Sequence, residues 1–204
     1  MNRIVIASNN PGKLRELAAL LAPLGIEALA QADFHVGEAE EPHETFLENA
    51  LAKARHASRA TGLPALADDS GLCVRSLGGA PGVQSAYYAG RQGTREERDA
   101  RNNAKLVEAL RERADRSAFY YCVLVLLRAH DDPTPIVADG RWEGDIVLSP
   151  RGSGGFGYDP YFRVESGMTA AQLAAEQKNR VSHRARALAA LAARLSNVMP
   201  PSGA

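Results

Sequence analysis

The stretch Ala67-Asp68-Asp69-Ser70-Gly71-Leu72, entered through an apolar run from Leu63 that only Pro64 interrupts, decides how the rest of the chain is read. Such a run reads as a buried strand, and the two acids, hydroxyl and glycine after it as the strand's C-terminal end. Carboxylates at such an edge suit a hard divalent cation such as Mg²⁺, which takes one or two of them and leaves its other positions to water and phosphate oxygens. Asp-Asp-Ser-Gly is equally the chemistry of an ordinary turn, so the choice falls to the other stretches.

Upstream, Ile4 to Ala7 reads as a short buried strand, Ser8-Asn9-Asn10-Pro11-Gly12-Lys13 as a polar loop, and Leu14, Leu17, Leu20 and Leu21 as the apolar face of a helix. Small side chains, backbone N–H groups and a lysine at a helix start can receive phosphate. A plain capping turn explains the same residues, and the Walker A pattern is absent. Pro23-Leu24-Gly25 ends the helix, and Ile26 to Leu29 reads as a second strand. In the acidic segment after it, Glu38, Glu40, Glu41 and Glu44 fit a solvated loop, or Glu40 or Glu41 supplies a second metal carboxylate facing Asp69. Thr45 with Glu48 forms a capping box, the next helix closes at Gly62, and Asn49 and Lys53 share one of its faces.

Downstream, Gly78 to Val83 is a flexible loop and Thr94 to Arg113 a charged surface helix. Ala118 to Arg128 is the strongest strand signal, placed centrally in a sheet. Ile136 to Ala138 and Asp145 to Leu148 read as two strands about a Gly140–Gly144 turn. The loop Pro150 to Phe162 sets Phe156 and Tyr158 among glycines, so that backbone can approach a planar ligand while a ring stacks on it. No dinucleotide-binding fingerprint accompanies it. Thr169 to Leu173 begins a short helix, and Ser182 caps a terminal helix through Leu195. That helix has His183 and Arg184 in its first turn, where cations oppose the dipole and so need another reason to be present.

A chain of 204 residues can bury a sizeable core as one domain or two lobes. Cys73 and Cys122, without metal-ligand spacing, read as small core residues. The 24 cationic and 24 acidic residues balance, which disfavours binding to a nucleic-acid backbone. Only four of the cations are lysines, and three of those, Lys13, Lys53 and Lys178, fall in the stretches singled out here. The short apolar run at the N-terminus is neither a signal-peptide core nor a membrane span, so a soluble cytoplasmic protein is expected.

The ordered set Ser8 to Lys13, Thr45 to Ala50, Ala67 to Leu72, Gly78 to Val83, Gly155 to Pro160 and Ser182-His183-Arg184 resembles the Ham1/RdgB-like inosine triphosphate pyrophosphatase family from end to end. Where that family usually carries Thr-Gly-Asn, this chain has Ser8-Asn9-Asn10, which keeps small polar groups. The resemblance implies an α/β fold with a long twisted mixed sheet flanked by helices, two lobes with a nucleotide-binding cleft, and a homodimer. One domain over 1–204 is expected, with 197–204 a flexible tail.

The resemblance also implies roles. Ser8, Asn9, Asn10, Pro11, Gly12 and Lys13 hold the triphosphate. Asp69 accepts a proton and binds Mg²⁺, with Glu40 or Glu41 as further metal ligand. Ser70, Phe156, Gly157, Tyr158, Asp159, Lys178, His183 and Arg184 bind nucleotide, with the base near the last two. Apart from the resemblance, Lys13, Lys53 and Lys178 are the cations expected to neutralise charge on the pyrophosphate leaving group. The activity implied is hydrolysis of ITP, dITP, XTP and dXTP to monophosphate and pyrophosphate. Donors at the base pocket, among them His183 and Arg184, would accept O6 of inosine or xanthosine and reject the amino group of ATP. A non-catalytic nucleotide sensor and a general nucleotide pyrophosphatase are the alternatives.

Overall fold

The structure, a computed structural model, describes residues 2–198. Six strands and five helices follow in chain order: β1 (Arg3–Ile6), α1 (Pro11–Leu21), β2 (Glu27–Ala30), α2 (Phe46–Thr61), β3 (Ala65–Val74), α3 (Arg95–Leu110), β4 (Ser117–Leu127), β5 (Ile136–Ile146), β6 (Phe162–Arg163), α4 (Ala175–Val181) and α5 (His183–Val198). The strands form one sheet in the order β2-β1-β3-β4-β5-β6. It is mixed: β1 pairs in parallel with both β2 and β3, whereas β5 and β6 are antiparallel. The fold is α/β, with helices flanking the sheet. Of the expected tail, residues 197 and 198 belong to α5 and 199–204 lie outside the described residues.

The chain divides into two compact units. The first holds residues up to Asp69, then Cys122–Gly140 and the segment from His183; the second holds Ser70–Tyr121 and Arg141–Ser182. In the first, Ile4, Ile6, Leu66, Leu124 and Leu126 of the strands pack with Leu17 and Leu21 of α1 and Leu188 and Leu191 of α5. In the second, Tyr120, Trp142 and Phe162 form an aromatic cluster with ring centroids 4.7 to 6.5 Å apart. Leu72, Leu106, Leu110 and Tyr158 enclose it. Cys73 and Cys122 are free and buried in these interiors, as small core residues.

Asp68 and Asp69 do not end a strand or make a turn; β3 continues through them to Val74, because Leu72, Cys73 and Val74 are as buried as the residues before the acids. The segment 136–146 is one strand, not two around a turn. Its burial alternates from Ala138 to Glu143 as a strand's should, and its glycines serve close approach. A Cβ on Gly140 would collide with the His183 carbonyl and the Ala187 N–H of α5, and one on Gly144 with the Arg163 carbonyl of β6.

Candidate active site

In the first unit, β1 delivers the chain to Ser8, and Asn10 turns it into α1. The Asn10 side chain accepts from the N–H groups of Gly12 (2.9 Å) and Lys13 (3.2 Å), Pro11 occupies the first helical position, and Ser8 Oγ accepts from the Asn10 N–H. The capping reading of this loop is therefore realised, with two helix-start donors taken by Asn10. Asn9 is held from outside the loop by Gln31, a buried residue whose Nε2 donates to Asn9 Oδ1 at 3.1 Å.

Adjacent strand residues face opposite sides of a sheet, and Asp68 and Asp69 accordingly have different partners. Asp68 Oδ2 lies 3.2 Å from Lys13 Nζ of α1 and 3.1 Å from Arg184 Nε of α5, and Arg184 Nη1 donates to Glu16 at 2.5 Å. Asp69 Oδ1 accepts from Lys53 Nζ of α2 at 2.9 Å, and the same ammonium donates to Glu41 at 2.6 Å. The two acids that read as one metal-binding pair thus serve two clusters. Asn49 and Lys53 both address the acidic segment: Asn49 holds the backbone N–H and carbonyl of His43, and Lys53 holds Glu41.

Charge and burial give these groups distinct characters. Burial alone would raise Asp68, but Lys13, Arg184 and Lys53 together hold it well below the usual carboxylate range. Burial pushes Asp69 above that range, and Lys53 and Lys13 only partly offset it. Lys53 is driven up, since Asp69, Asp68 and Glu41 outweigh its burial. Arg184 rises as well, its desolvation outweighed by Asp68 and Glu16. Its place in the first turn of α5 follows: buried carboxylates supply the compensation that the helix dipole does not. Arg184 Nε and Nη1 donate to Asp68 and Glu16.

Among the described residues no three His, Cys, Asp or Glu side chains gather around one point. Asp69 and Glu41, however, both present oxygen to a single cationic group, the Lys53 ammonium. Lys13, Lys53 and Arg184 stand against Glu16, Glu41, Asp68 and Asp69, an excess of negative charge. Hard oxygen donors with that excess fit a hard divalent cation. Glu40 is exposed and makes no ion pair among the described residues, so Glu41 is the better placed of the two.

In the second unit, Ser70 continues β3 half-buried, and the glycine-rich loop is built around Asp159. Asp159 Oδ2 accepts from the Phe156 N–H (2.9 Å) and from Lys178 Nζ (2.8 Å), and Oδ1 accepts from the Tyr120 hydroxyl (3.3 Å). Gly155, at φ +74°, brings the loop so close that any Cβ there would strike the Asp159 carboxylate. Lys178 Nζ also lies 5.0 Å from the Phe156 ring centroid. Phe156 stays half-buried, whereas Tyr158 is a core residue whose hydroxyl donates to the Ser85 carbonyl at 2.8 Å. His183 is buried in the first unit with Arg184, and Lys178 lies in the second.

A family model described as "Ham1 family" matches residues 4–194, a span that contains all six motifs. The chain belongs to the Ham1 family. It is 65% identical over 198 residues to a dITP/XTP pyrophosphatase of Burkholderia pseudomallei (97% of this chain, 95% of that protein), and 61% identical over 197 residues to one of Nitrosomonas europaea (96% and 95%). The solved structure of a Ham1 protein from Coxiella burnetii superposes with a TM-score of 0.87 at 48% identity, covering 97% of this chain and all of that one.

Beyond the Ham1 motifs, the structure brings in residues that sequence reading left out. Glu16 and Gln31 stand in no motif, and only tertiary contact shows that they hold Arg184 and Asn9. Asp99 and Asn103, which bind the Gly157 peptide from α3, read as ordinary polar positions of a charged surface helix; only the structure shows their limited exposure and that they share a stripe facing Gly157.

Proposed function

We propose that this Ham1-family chain is a nucleoside-triphosphate pyrophosphatase that hydrolyses ITP, dITP, XTP and dXTP to monophosphate and pyrophosphate. Close relatives named for that activity support the reading, and the observation that carries it is the Asp69–Lys53–Glu41 bridge. A solvated aspartate, with a pKa of about 3.9, is a weak base; burial raises Asp69 and makes it the better proton acceptor from an attacking water. Asp69 and Glu41 would hold Mg²⁺, which when bound supplies charge neutralisation and a more acidic water. Lys13 and Lys53 offer cationic groups to phosphate oxygens, and the Asn10 cap fixes the chain that presents Lys13.

In the second unit, Phe156 is the ring for a base, and Lys178 beside it is a donor that O6 would accept and an exocyclic amino group would not. His183 and Arg184 keep the nucleotide role implied by the family motif, with Arg184 also anchoring Asp68. We place the protein in the cytoplasm as a homodimer that clears such nucleotides before incorporation into DNA or RNA. Among the described residues no helix is long and apolar enough to cross a membrane.

The test is pyrophosphate release from ITP, XTP, GTP and ATP, with Mg²⁺ and with EDTA, for wild type and Asp69→Asn. Metal-dependent turnover of ITP and XTP over ATP and GTP, falling about 10²-fold or more in the variant, is the expected result. Nucleotide binding without pyrophosphate would favour a sensor, and equal turnover of all four a general pyrophosphatase.

A further inference from the structure

One face of α3 holds the segment that carries Phe156. Arg95, Asp99 and Asn103 lie four residues apart and so on one stripe of the helix. Asp99 Oδ2 accepts from the Gly157 N–H at 3.1 Å, and Asn103 Nδ2 donates to the Gly157 carbonyl at 3.0 Å. Both polar groups of one residue are therefore gripped by side chains one helical turn apart. Arg95 completes the set: its guanidinium carbon is 4.7 Å from the Phe156 ring centroid and its Nε 3.9 Å from Asp99. From the other side Asp159 holds the Phe156 N–H. Phe156 N–H, Gly157 N–H and Gly157 carbonyl are thus fixed in succession.

We propose that Arg95, Asp99 and Asn103 are positioning residues that preset the Phe156–Gly157 segment for the nucleobase, so that they set affinity for the base half of the substrate and leave phosphoanhydride cleavage unchanged. The inference rests on the nucleotide reading above. A glycine at φ +62° has no side chain to order it, and its segment would sample many conformations unless held from outside. Ordering it beforehand removes that cost from binding. The stripe keeps its polarity at positions of limited exposure: Asn103 is 8% exposed and Asp99 half-buried, where burial raises the carboxyl. A helix that merely covered the core would place apolar residues there.

The experiment follows steady-state ITP hydrolysis in wild type, Arg95→Ala, Asp99→Ala, Asp99→Asn and Asn103→Leu, with inorganic tripolyphosphate as a competitive probe of the phosphate half. Thermal melts monitor the fold, and the half-exposed Arg95 provides a variant that leaves the interior intact. KM for ITP rises about 5- to 20-fold in Arg95→Ala and Asp99→Ala, while kcat stays within about threefold. The inhibition constant of tripolyphosphate is unchanged. Asp99→Asn, whose amide oxygen still accepts from Gly157, restores most of the affinity. Equal weakening of ITP and tripolyphosphate, a fall in kcat at constant KM, or an Asp99→Asn as impaired as Asp99→Ala would overturn the inference. An active wild type indifferent to both alanine variants would sink it and leave the pyrophosphatase reading standing. A wild type that hydrolysed no purine triphosphate would sink that reading, and this one with it.

Discussion

The Lys53 ammonium lies 2.9 Å from Oδ1 of Asp69 and shares its protons with Glu41. Three nearby carboxylates keep it charged, so Lys53 is a fixed cation between two hard oxygen donors. Replacing it by the near-isosteric Met removes a charge offered to phosphate and leaves the two acids facing each other. Lys53→Met lowers kcat/KM for ITP by about 10²-fold yet tightens Mg²⁺ binding in the absence of nucleotide, as calorimetric titration would show. Weaker Mg²⁺ binding would count against the bridge as the cation site.

Neighbouring glutamates separate by geometry. Glu41 reaches Lys53 and Glu40 is exposed. In Mg²⁺ activation curves, Glu41→Gln shifts half-saturation upward by about tenfold, and Glu40→Gln superposes on wild type.

Tyr158 tests whether the second aromatic residue of its loop serves ligand or core. Its hydroxyl donates to the Ser85 carbonyl, and its ring packs in the second unit's interior. Tyr158→Phe costs about 1 to 2 kcal/mol in urea unfolding and changes KM for ITP less than about threefold.

Gly140 is required for space. Its missing Cβ is what lets β5 lie against the start of α5. Gly140→Ala destabilises by about 1 to 3 kcal/mol, although its φ is not in the left-handed region. An alanine variant that melted with wild type would refute the close approach.

Asp132 makes stability depend on acid. Hydrogen bonds from Arg128 hold its carboxyl far below the usual range, and Thr134 also donates to it. Its stabilisation is full above the unfolded pKa of about 3.9 and is lost as pH falls further, because the unfolded chain takes up the proton first. Asp132→Asn therefore unfolds at lower urea than wild type at pH 7, and the gap narrows below about pH 4.

Periodicity located β1, β4 and the first three helices because apolar spacing and caps are local properties, as with Thr45 and Gly62 at the two ends of α2. Two readings failed for a common reason. Asp-Asp-Ser-Gly and Gly-Arg-Trp-Glu-Gly carry turn residues, but in the structure the acids in β3 are paired with cations from α1 and α2 and the glycines in β5 face close neighbours. Neither the cations nor those neighbours are local in sequence. The motifs likewise marked Asp69 and Lys53 but could not reveal that Asp68 faces away from them, toward Arg184.

The bond between Asp68 and Arg184 spans 116 residues of chain. Synthesis proceeds from the N-terminus, so Asp68 leaves the ribosome long before its guanidinium partner exists. Only Lys13, of the two cations that hold its Oδ2, is then available. Apolar residues of α5 that pack in the same interior, Leu188 and Leu191, emerge later still. The first unit is therefore finished by its C-terminal helix. A nascent chain stalled before Arg184 would lack one of the two cations on Asp68 Oδ2, leaving that carboxylate with less to compensate its burial.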